Sequence, residues 1–307
     1  MDVRIEARGL TKRYGSTVAV DDLTFTVEPG RVTGFLGPNG AGKTTTMRMV
    51  LGLDLPTSGT VTVGGRRYAD LPAPLRTVGA LLDARALHPG RTGYHHLLAL
   101  AQSNRIARAR VDEVLDAVGL SSAARRRTRA YSLGMSQRLG VAAALLGDPP
   151  VLMFDEPVNG LDPEGIRWIR DLMRGYAAEG RTVLVSSHLM SEMALTADHL
   201  VVIGRGRLIA DAPLDDVLRR NSRHELLVRT DEPARLGALL TGAGGHVVAR
   251  PDDGLVVSSL DGAAIGRVAA AHGIALSELT PRRDSLEQVF MDLTAASVEY
   301  AAAGGAR

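Results

Sequence analysis

The sequence is poor in cysteine, lysine and long apolar runs. It contains no cysteine, which excludes disulfide bonds, iron–sulfur clusters and thiolate metal sites. No apolar stretch approaches the about eighteen residues that a membrane-spanning helix requires, and the N-terminal letters MDVRIEARGLTKRYG lack the apolar core of a signal peptide. These absences predict a cytoplasmic protein that does not cross a membrane by itself.

Excess positive charge is also scarce. The 36 lysines and arginines barely exceed the 34 aspartates and glutamates, and only Lys12 and Lys43 are lysines. A nucleic-acid-binding protein usually concentrates more positive charge than this, so we expect no nucleic-acid partner. The length of 307 residues suffices for two compact domains.

Apolar runs that alternate with helical patterns predict an α/β domain over residues 1–218. Strand-like runs dominate its first part, and residues 87–146 have helical spacing. Two later runs, VLMFDEP and TVLVSSH, are apolar until they end in polar residues, and a helical segment separates them. This order is typical of buried parallel strands joined by a crossover helix.

The pattern changes after residue 218. A strand, a helix, two strands around the letters PDDG, a helix and a strand follow in that order, and a final helix begins with a capping box of Asp284 and Glu287. The βαββαβ order predicts a small α+β, ferredoxin-like accessory domain over residues 219–307. We expect its last letters, AAAGGAR, to be disordered.

The letters GPNGAGKT, residues 37–44, fit the phosphate-loop pattern between a predicted strand and a predicted helix. Glycines there let successive backbone N–H groups turn toward phosphates. Lys43 is expected to reach the β- and γ-phosphates of a nucleotide, and the Thr44 hydroxyl to ligate Mg²⁺. The predicted nucleotide-binding residues of this phosphate loop and its flank are Gly37, Asn39, Gly40, Gly42, Lys43, Thr44 and Thr45.

Polar residues end the two apolar runs at what should be one edge of the sheet. Asp155 can present a carboxylate to Mg²⁺ there, because ligands bind at the carboxyl ends of parallel strands. Glu156 follows directly, and we assign it as the general base that polarises an attacking water. His188 ends the second run and is a further candidate at the same edge.

A second phosphate-binding feature lies about ninety residues beyond the phosphate loop. In the letters AYSLGMSQRLG, Ser132 and Gly134 come just before an amphipathic run. This composition is typical of a helix N-terminus that favours an anion. The chain therefore has two such features but one obvious nucleotide site.

The stretches GPNGAGKTT, YSLGMSQRLG, VLMFDEPVNGLDP and SSH, in this order and spacing, resemble the motifs of an ATP-binding cassette (ABC) ATPase. The resemblance covers about residues 3–218. It implies a P-loop NTPase fold, with a RecA-like core, an antiparallel β flank and a helical subdomain over about residues 87–146. It also implies ATP and Mg²⁺ as cofactors.

The resemblance implies further roles. Tyr14 would stack on adenine, His188 would contact the γ-phosphate, and Asp162 would lie at a dimer interface near the attacking water. Ser132 and Gly134 would face the γ-phosphate of ATP held by another subunit. The two phosphate-binding features would then serve different nucleotides in a homodimer, or in a pair with a related ATPase subunit, closed head to tail around two Mg-ATP.

Two positions depart from the family pattern. Asp83 stands where the family usually has a glutamine that senses Mg²⁺ and the membrane partner, and we hypothesise that Asp83 keeps this role with altered metal affinity. The usual Leu-Ser-Gly-Gly-Gln motif reads Tyr131 to Met135 here, a stretch that we call the signature segment. Ser132 and Gly134 are retained in it, so we interpret the segment as functional.

At these two departures, the sequence resembles that of the antibiotic- and bacteriocin-exporter branch of the family. This resemblance implies an ATPase at the inner face of the cell membrane that drives a separate integral membrane permease and is attached only through it. Two alternatives stay open: a regulatory cassette that binds ATP without hydrolysing it, and a non-transport ABC ATPase. A GTPase is excluded because neither Lys12 nor Lys43 lies in an Asn-Lys-x-Asp context.

Overall fold

The computed structural model describes residues 3–221, 225–250, 254–282 and 286–294. The described chain divides into two compact units: the first holds residues 3–214 together with Leu293 and Thr294, and the second holds residues 215–292. The capping residue Asp284 and the tail AAAGGAR lie outside the described residues.

The elements of the first unit alternate between strands and helices. Its strands are β1 (Ile5–Tyr14), β2 (Thr17–Val27), β3 (Val32–Leu36), β4 (Ser58–Val63), β5 (Val78–Leu81), β6 (Val151–Asp155), β7 (Thr182–Ser187), β8 (His199–Gly204) and β9 (Arg207–Pro213). Its helices are α1 (Lys43–Val50), α2 (Pro74–Thr77), α3 (Gly93–Ser103), α4 (Ala109–Ala117), α5 (Leu133–Leu145), α6 (Pro163–Ala178) and α7 (Met190–Thr196), and the first residue of α8 (Leu214–Asn221) also belongs to it. Short 3₁₀ turns lie at Tyr68–Asp70, Ser121–Ala123 and Thr128–Ala130.

A six-stranded sheet, in the order β5-β6-β7-β3-β8-β9, forms the centre of this unit. The first five strands of that order pair in parallel, and only β9 is antiparallel. Every residue of β3, β6, β7 and β8 is buried, and most of their side chains are apolar, as expected for strands covered on both faces. The prediction of buried parallel strands joined by a crossover helix, α6, is confirmed.

The sheet order brings three sequence motifs to one edge. Because β3, β6 and β7 are parallel neighbours, their carboxyl ends lie side by side. The phosphate loop follows β3, Asp155 ends β6, and His188 follows β7. The fold therefore assembles the candidate site from segments that are far apart in the chain.

A second, antiparallel sheet, in the order β2-β1-β4, packs against the first. Phe25 of β2 and Phe35 of β3 stack with their ring centroids 5.4 Å apart. Met47 of α1 is fully buried in the same core cluster. This packing fixes α1, the helix that begins with Lys43, between the two sheets.

Helices α3, α4 and α5 occupy the region predicted to be helical, residues 87–146. Their inward faces are apolar, with Leu97, Leu115 and Leu139 fully or almost fully buried. The helix α5 begins after Ser132, whose hydroxyl accepts a hydrogen bond from the Met135 N–H at 3.2 Å. The expectation of a helix N-terminus at this serine is confirmed.

The second unit has the predicted βαββαβ order. It begins with all but the first residue of α8. The elements that follow are β10 (Glu225–Thr230), α9 (Pro233–Gly242), β11 (His246–Arg250), β12 (Gly254–Ser258), α10 (Gly262–Ala271), β13 (Leu276–Arg282) and a final helix, α11 (Leu286–Thr294), whose last two residues group with the first unit. The strands form an antiparallel sheet in the order β11-β12-β10-β13. Both α9 and α10 cover it with buried apolar residues, among them Leu240 and Ile265.

In the described parts of the chain, no helix has the length and apolar character needed to span a bilayer. The longest of them, α6, has 16 residues, whereas a spanning helix needs about 20. Charged side chains also interrupt α6 throughout.

Candidate functional site

The phosphate loop connects β3 to α1 in a conformation that requires glycine at two points. Gly42 has φ of 103°, and a Cβ there would lie 2.5 Å from the Ala19 carbonyl oxygen. A Cβ on Gly37 would lie 2.6 Å from the Ile203 carbonyl oxygen. The carbonyl groups of Ala19 and Ile203 therefore lie so close to these two glycines that a side chain at either position would distort the loop.

Lys43 is a buried cation with 7% of its surface exposed. Its ammonium donates to the carbonyl oxygens of Gly37 at 2.7 Å and Pro38 at 3.3 Å, so it lies inside the curve of the loop. Burial lowers the pKa of this ammonium, and the carboxylates of Glu156 and Asp155 oppose that shift. A buried cation among backbone dipoles suits an anionic ligand such as phosphate.

Thr44 and Asp155 bring two oxygens together. The Thr44 hydroxyl donates to Oδ2 of Asp155 at 2.7 Å, and the Ser186 hydroxyl donates to Oδ1 of the same carboxylate. Oxygen ligands of an octahedral Mg²⁺ with bonds of 2.0–2.1 Å are separated by about 2.9 Å. The oxygen pair therefore fits neighbouring positions around Mg²⁺.

Glu156 is held in a backbone conformation that is uncommon for a residue with a side chain. Its φ is 50°. This conformation costs on the order of 1–3 kcal/mol and persists only where neighbouring groups impose it. The Glu156 N–H donates to the carbonyl oxygen and to the hydroxyl of Ser186, at 3.2 and 3.0 Å. These bonds direct the side chain toward His188, whose Nδ1 lies 2.7 Å from Oε2.

A cavity of about 300 Å³ lies beside these groups, and Ser186 and His188 are among those described so far that do not line it. Its lining residues are Ala19, Asn39, Gly40, Ala41, Gly42, Lys43, Thr44, Thr45, Leu82, Asp155 and Glu156. One cavity thus combines a cation, two carboxylates and the N-terminus of α1. Such a combination can bind a phosphate chain with a metal ion and place a base beside it.

Tyr14 is not among the residues that line this cavity. The residue is 47% exposed, its hydroxyl donates to Asp54 at 3.0 Å, and the Lys12 ammonium lies 4.9 Å from the ring centroid. The ring is therefore held in place and accessible from solvent. Stacking on adenine stays a prediction for this residue.

The signature segment also lies outside the cavity lining. Ser132 is exposed, while Gly134 faces the chain after β6, since a Cβ there would lie 3.1 Å from the Gly160 carbonyl oxygen. Leu133 packs so closely on Gly160 that a Cβ on that glycine would lie 2.2 Å from the leucine. The signature segment thus contacts the residues that follow Glu156.

Two acidic residues that were predicted to belong to the functional site lie at turns. Asp162 is the N-cap of α6, where its Oδ1 accepts from the Gly165 N–H at 2.8 Å. Asp83 follows β5, is exposed, and accepts from the Arg85 N–H at 2.8 Å. Leu82, its neighbour, lines the cavity, and Asp83 does not. A role for Asp83 in metal sensing stays a prediction.

Sequence reasoning missed Ser186 and Gln137. Ser186 bonds both Asp155 and Glu156, and the Gln137 carboxamide donates to the Glu156 carbonyl oxygen at 3.1 Å. The available signal was a polar residue in an otherwise apolar context: a serine within a buried strand and a glutamine on the buried face of a helix.

The order, geometry and sequence of these elements agree with known proteins. A family model described as ABC transporter matches residues 20–159. The bacitracin transport ATP-binding protein BcrA of Bacillus licheniformis is 36% identical over 299 residues, which cover 95% of this chain and 98% of that protein. The chain belongs to the ABC transporter family.

Other similarities extend this assignment. The daunorubicin resistance ATP-binding protein DrrA3 of Streptomyces coeruleorubidus is 34% identical over 304 residues, covering 95% of this chain and 96% of that protein. A solved ATP-binding subunit of an ABC transporter superposes with a TM-score of 0.65 at 29% identity, over 70% of this chain and 92% of that one. The predicted P-loop NTPase fold is confirmed, and the chain is an ATP-binding subunit of the ABC type. Residues 224–287 match a domain of unknown function (DUF8746).

Proposed function

We propose that this ABC subunit binds and hydrolyses Mg-ATP as a dimer and thereby drives a separate membrane permease. The observation that carries the proposal is the single cavity in which Lys43, Thr44, Asp155 and Glu156 converge. Each group in it has a distinct chemical task. The tasks follow from the charges, distances and hydrogen bonds described above.

The phosphate loop would bind the triphosphate of ATP. Its backbone N–H groups and the N-terminus of α1 favour negative charge, and the buried Lys43 supplies a full positive charge beside them. Asn39 and Thr45 line the same cavity and add polar groups to it. The loop would therefore orient the γ-phosphate toward the carboxyl ends of β6 and β7.

Thr44 and Asp155 would hold Mg²⁺. The described residues include no cluster of three or more histidines, aspartates or glutamates suited to a metal ion, so phosphate oxygens would complete the coordination. This arrangement agrees with the way Mg²⁺ binds nucleotides, through one or two protein ligands and the phosphates. The bound ion would neutralise charge on the phosphates.

Glu156 would act as the general base and His188 as its partner. The carboxylate is 22% exposed, so water can reach it, and Nδ1 of His188 fixes one of its oxygens at 2.7 Å. The other oxygen is left to polarise the attacking water toward the γ-phosphate. A positioned base of this kind contributes about 10²–10⁴-fold to a rate.

A second chain would complete the site. Ser132 and Gly134 stand at the N-terminus of α5, outside the chain's own cavity, where they can receive the γ-phosphate of ATP bound to a partner. Asp162 would lie at the same interface. Two chains related head to tail would thus enclose two nucleotides, and hydrolysis would open them.

The transported compound is proposed from relatives alone. BcrA is described as a bacitracin transport protein and DrrA3 as a daunorubicin resistance protein, and both match this chain over almost its full length. We infer an exporter of the antibiotic or peptide type at the inner face of the cell membrane. The permease would carry the substrate path and anchor this chain to the membrane.

A regulatory cassette that binds ATP without turnover is the second candidate. The observation that favours it is the position of Asp83, which replaces a glutamine, lies outside the cavity lining and accepts a bond from its own loop. A regulatory cassette would retain ATP binding and dimerisation, and would release no phosphate.

Phosphate release from the purified chain with ATP and Mg²⁺ separates the two candidates. We expect turnover, and we expect Glu156→Gln to lower kcat by about 10²–10⁴-fold while ATP still binds. Glu179→Gln, which changes an exposed glutamate at the end of α6, is the matched control and should keep normal turnover. ATP binding without phosphate release by the unaltered chain would establish the regulatory cassette.

A further inference from the structure

The backbone of Glu156 is bonded on both sides by side chains from other elements. On one side its N–H donates to Ser186 of β7. On the other side its carbonyl oxygen accepts from Nε2 of Gln137 at 3.1 Å, in addition to the turn bond from the Asn159 N–H at 3.2 Å. Gln137 belongs to α5, the helix that begins with the signature segment.

Gln137 is placed to act on the backbone of Glu156 and not on substrate. Its side chain is 4% exposed, and it is absent from the cavity lining. It bonds the carbonyl oxygen of Glu156, the residue that is held at a positive φ. Without the Gln137 donor, that peptide is freer to relax toward the favoured negative φ, and the Glu156 carboxylate would turn away from His188.

The same helix contacts the segment after β6 a second time. Leu133, the first residue of α5, packs on Gly160, which lies four residues after Glu156. The residue after Gln137 makes another contact, since the Arg138 guanidinium lies 4.4 Å from the ring centroid of Trp168 in α6. A displacement of the N-terminus of α5 is therefore transmitted to the segment after β6, which includes Glu156.

We propose that Gln137 is a positioning residue that couples the signature segment of α5 to the general base, Glu156, of the same chain. The inference rests on the proposed function, in which Ser132 meets a nucleotide held by the partner. Closure of the signature segment on that nucleotide would press Gln137 against the Glu156 carbonyl and set the base in its own site. Each site would then reach full activity only when the other nucleotide is bound.

The test compares Gln137→Met, which keeps the length of the side chain and removes its N–H donors, with Gln102→Met as a matched control. Gln102 is an exposed glutamine on α3. We expect Gln137→Met to lower kcat by about five- to tenfold, since one hydrogen bond is lost, with the KM for ATP and the ATP-dependent dimer unchanged. Gln102→Met should behave as the unaltered chain does.

Gln137→Glu supplies an independent readout. A neutral carboxyl at this position can donate to the Glu156 carbonyl, whereas an ionised one cannot. The ratio of its kcat to that of the unaltered chain should therefore rise as the pH is lowered, a change that a merely structural role would not produce. The same ratio for Gln137→Met should stay constant with pH.

Two results would overturn the inference and leave the proposed function intact. One is normal kcat for Gln137→Met in a chain whose Glu156→Gln variant is inactive. The other is a parallel loss of ATP binding and kcat in both Gln137 variants, since the bond would then serve folding alone. Failure of the unaltered chain to hydrolyse ATP would instead reject the proposed function and the coupling that rests on it.

Discussion

The phosphate loop and the signature segment both place backbone N–H groups at the start of a helix, but their surroundings differ. Around the phosphate loop, Lys43 of α1 and the adjacent Asp155 and Glu156 at the end of β6 line one cavity. The signature segment has an exposed serine, Ser132, whose hydroxyl is engaged with its own helix, and it contributes no residue to that cavity.

The difference shows what each helix N-terminus can do within one chain. A helix dipole with a cap favours an anion by only about 0.3–1 kcal/mol at an exposed site, so the signature segment alone would bind phosphate weakly. The phosphate loop adds a buried cation and oxygen ligands suited to a metal ion. In the proposed dimer, the signature segment would become an effective phosphate site when a second chain presents a nucleotide that is already bound.

Substitution of Lys43 should have the largest effect in this comparison. Lys43→Met removes the cation proposed to lie at the transferred phosphate and should lower kcat/KM by about 10²–10³-fold, as expected for a donor to developing charge. Lys12→Met is the natural control, because it removes the other lysine of the chain, which donates to the Leu55 carbonyl oxygen at 2.6 Å. Its kcat/KM should stay within about fivefold. Equal losses of kcat/KM for Lys43→Met and Lys12→Met would contradict the prediction, because a lysine in the phosphate loop would then matter no more than a lysine outside it.

Substitution of Ser132 should have a smaller effect, confined to the dimer. Ser132→Asp preserves the N-cap of α5 and places a negative charge where the partner's phosphate is proposed to lie. We expect ATP binding to the monomer to be unchanged and phosphate release to fall by about tenfold or more. Asp261→Ala removes the N-cap of α10 in the second unit and should lower thermal stability without this loss. Normal turnover by Ser132→Asp would contradict a role for the signature segment.

The groups of the phosphate loop could be predicted because they lie in one short motif with a defined mechanism. Asp155 and Glu156 could be predicted because an apolar run that ends in carboxylates indicates the carboxyl end of a buried strand. The contact between Gln137 and Glu156 could not, because a glutamine on the apolar face of a helix indicates a buried hydrogen bond but does not identify its partner, here nineteen residues away.

The fold likewise has features that could be predicted from the sequence and features that could not. Apolar runs and helical spacing predicted the strands, the crossover helix and the order of elements in the second unit. The position of β3 between β7 and β8 was beyond that reasoning, since pairing of distant strands depends on tertiary packing. The bulges where β1 pairs with β2 depend on the same packing.

Substitution of Asp83 should have the smallest effect. Asp83→Asn removes an exposed charge near the mouth of the site, so we expect the Mg²⁺ concentration for half-maximal ATPase to shift by about two- to fivefold. A Mg²⁺ titration of phosphate release, with and without the permease, measures this shift. Asp83 would have no sensing role if both the Mg²⁺ dependence and the stimulation by the permease stayed unchanged.

The mass of Glu156→Gln in solution, measured by light scattering with and without Mg-ATP, tests the head-to-tail dimer most directly. Because this variant should bind ATP and hydrolyse it very slowly, the closed form should accumulate. The account predicts a mass of one chain without nucleotide and of two chains with Mg-ATP, and a return to one chain when Ser132→Asp is added. A single-chain mass at saturating Mg-ATP, with nucleotide bound, would contradict it.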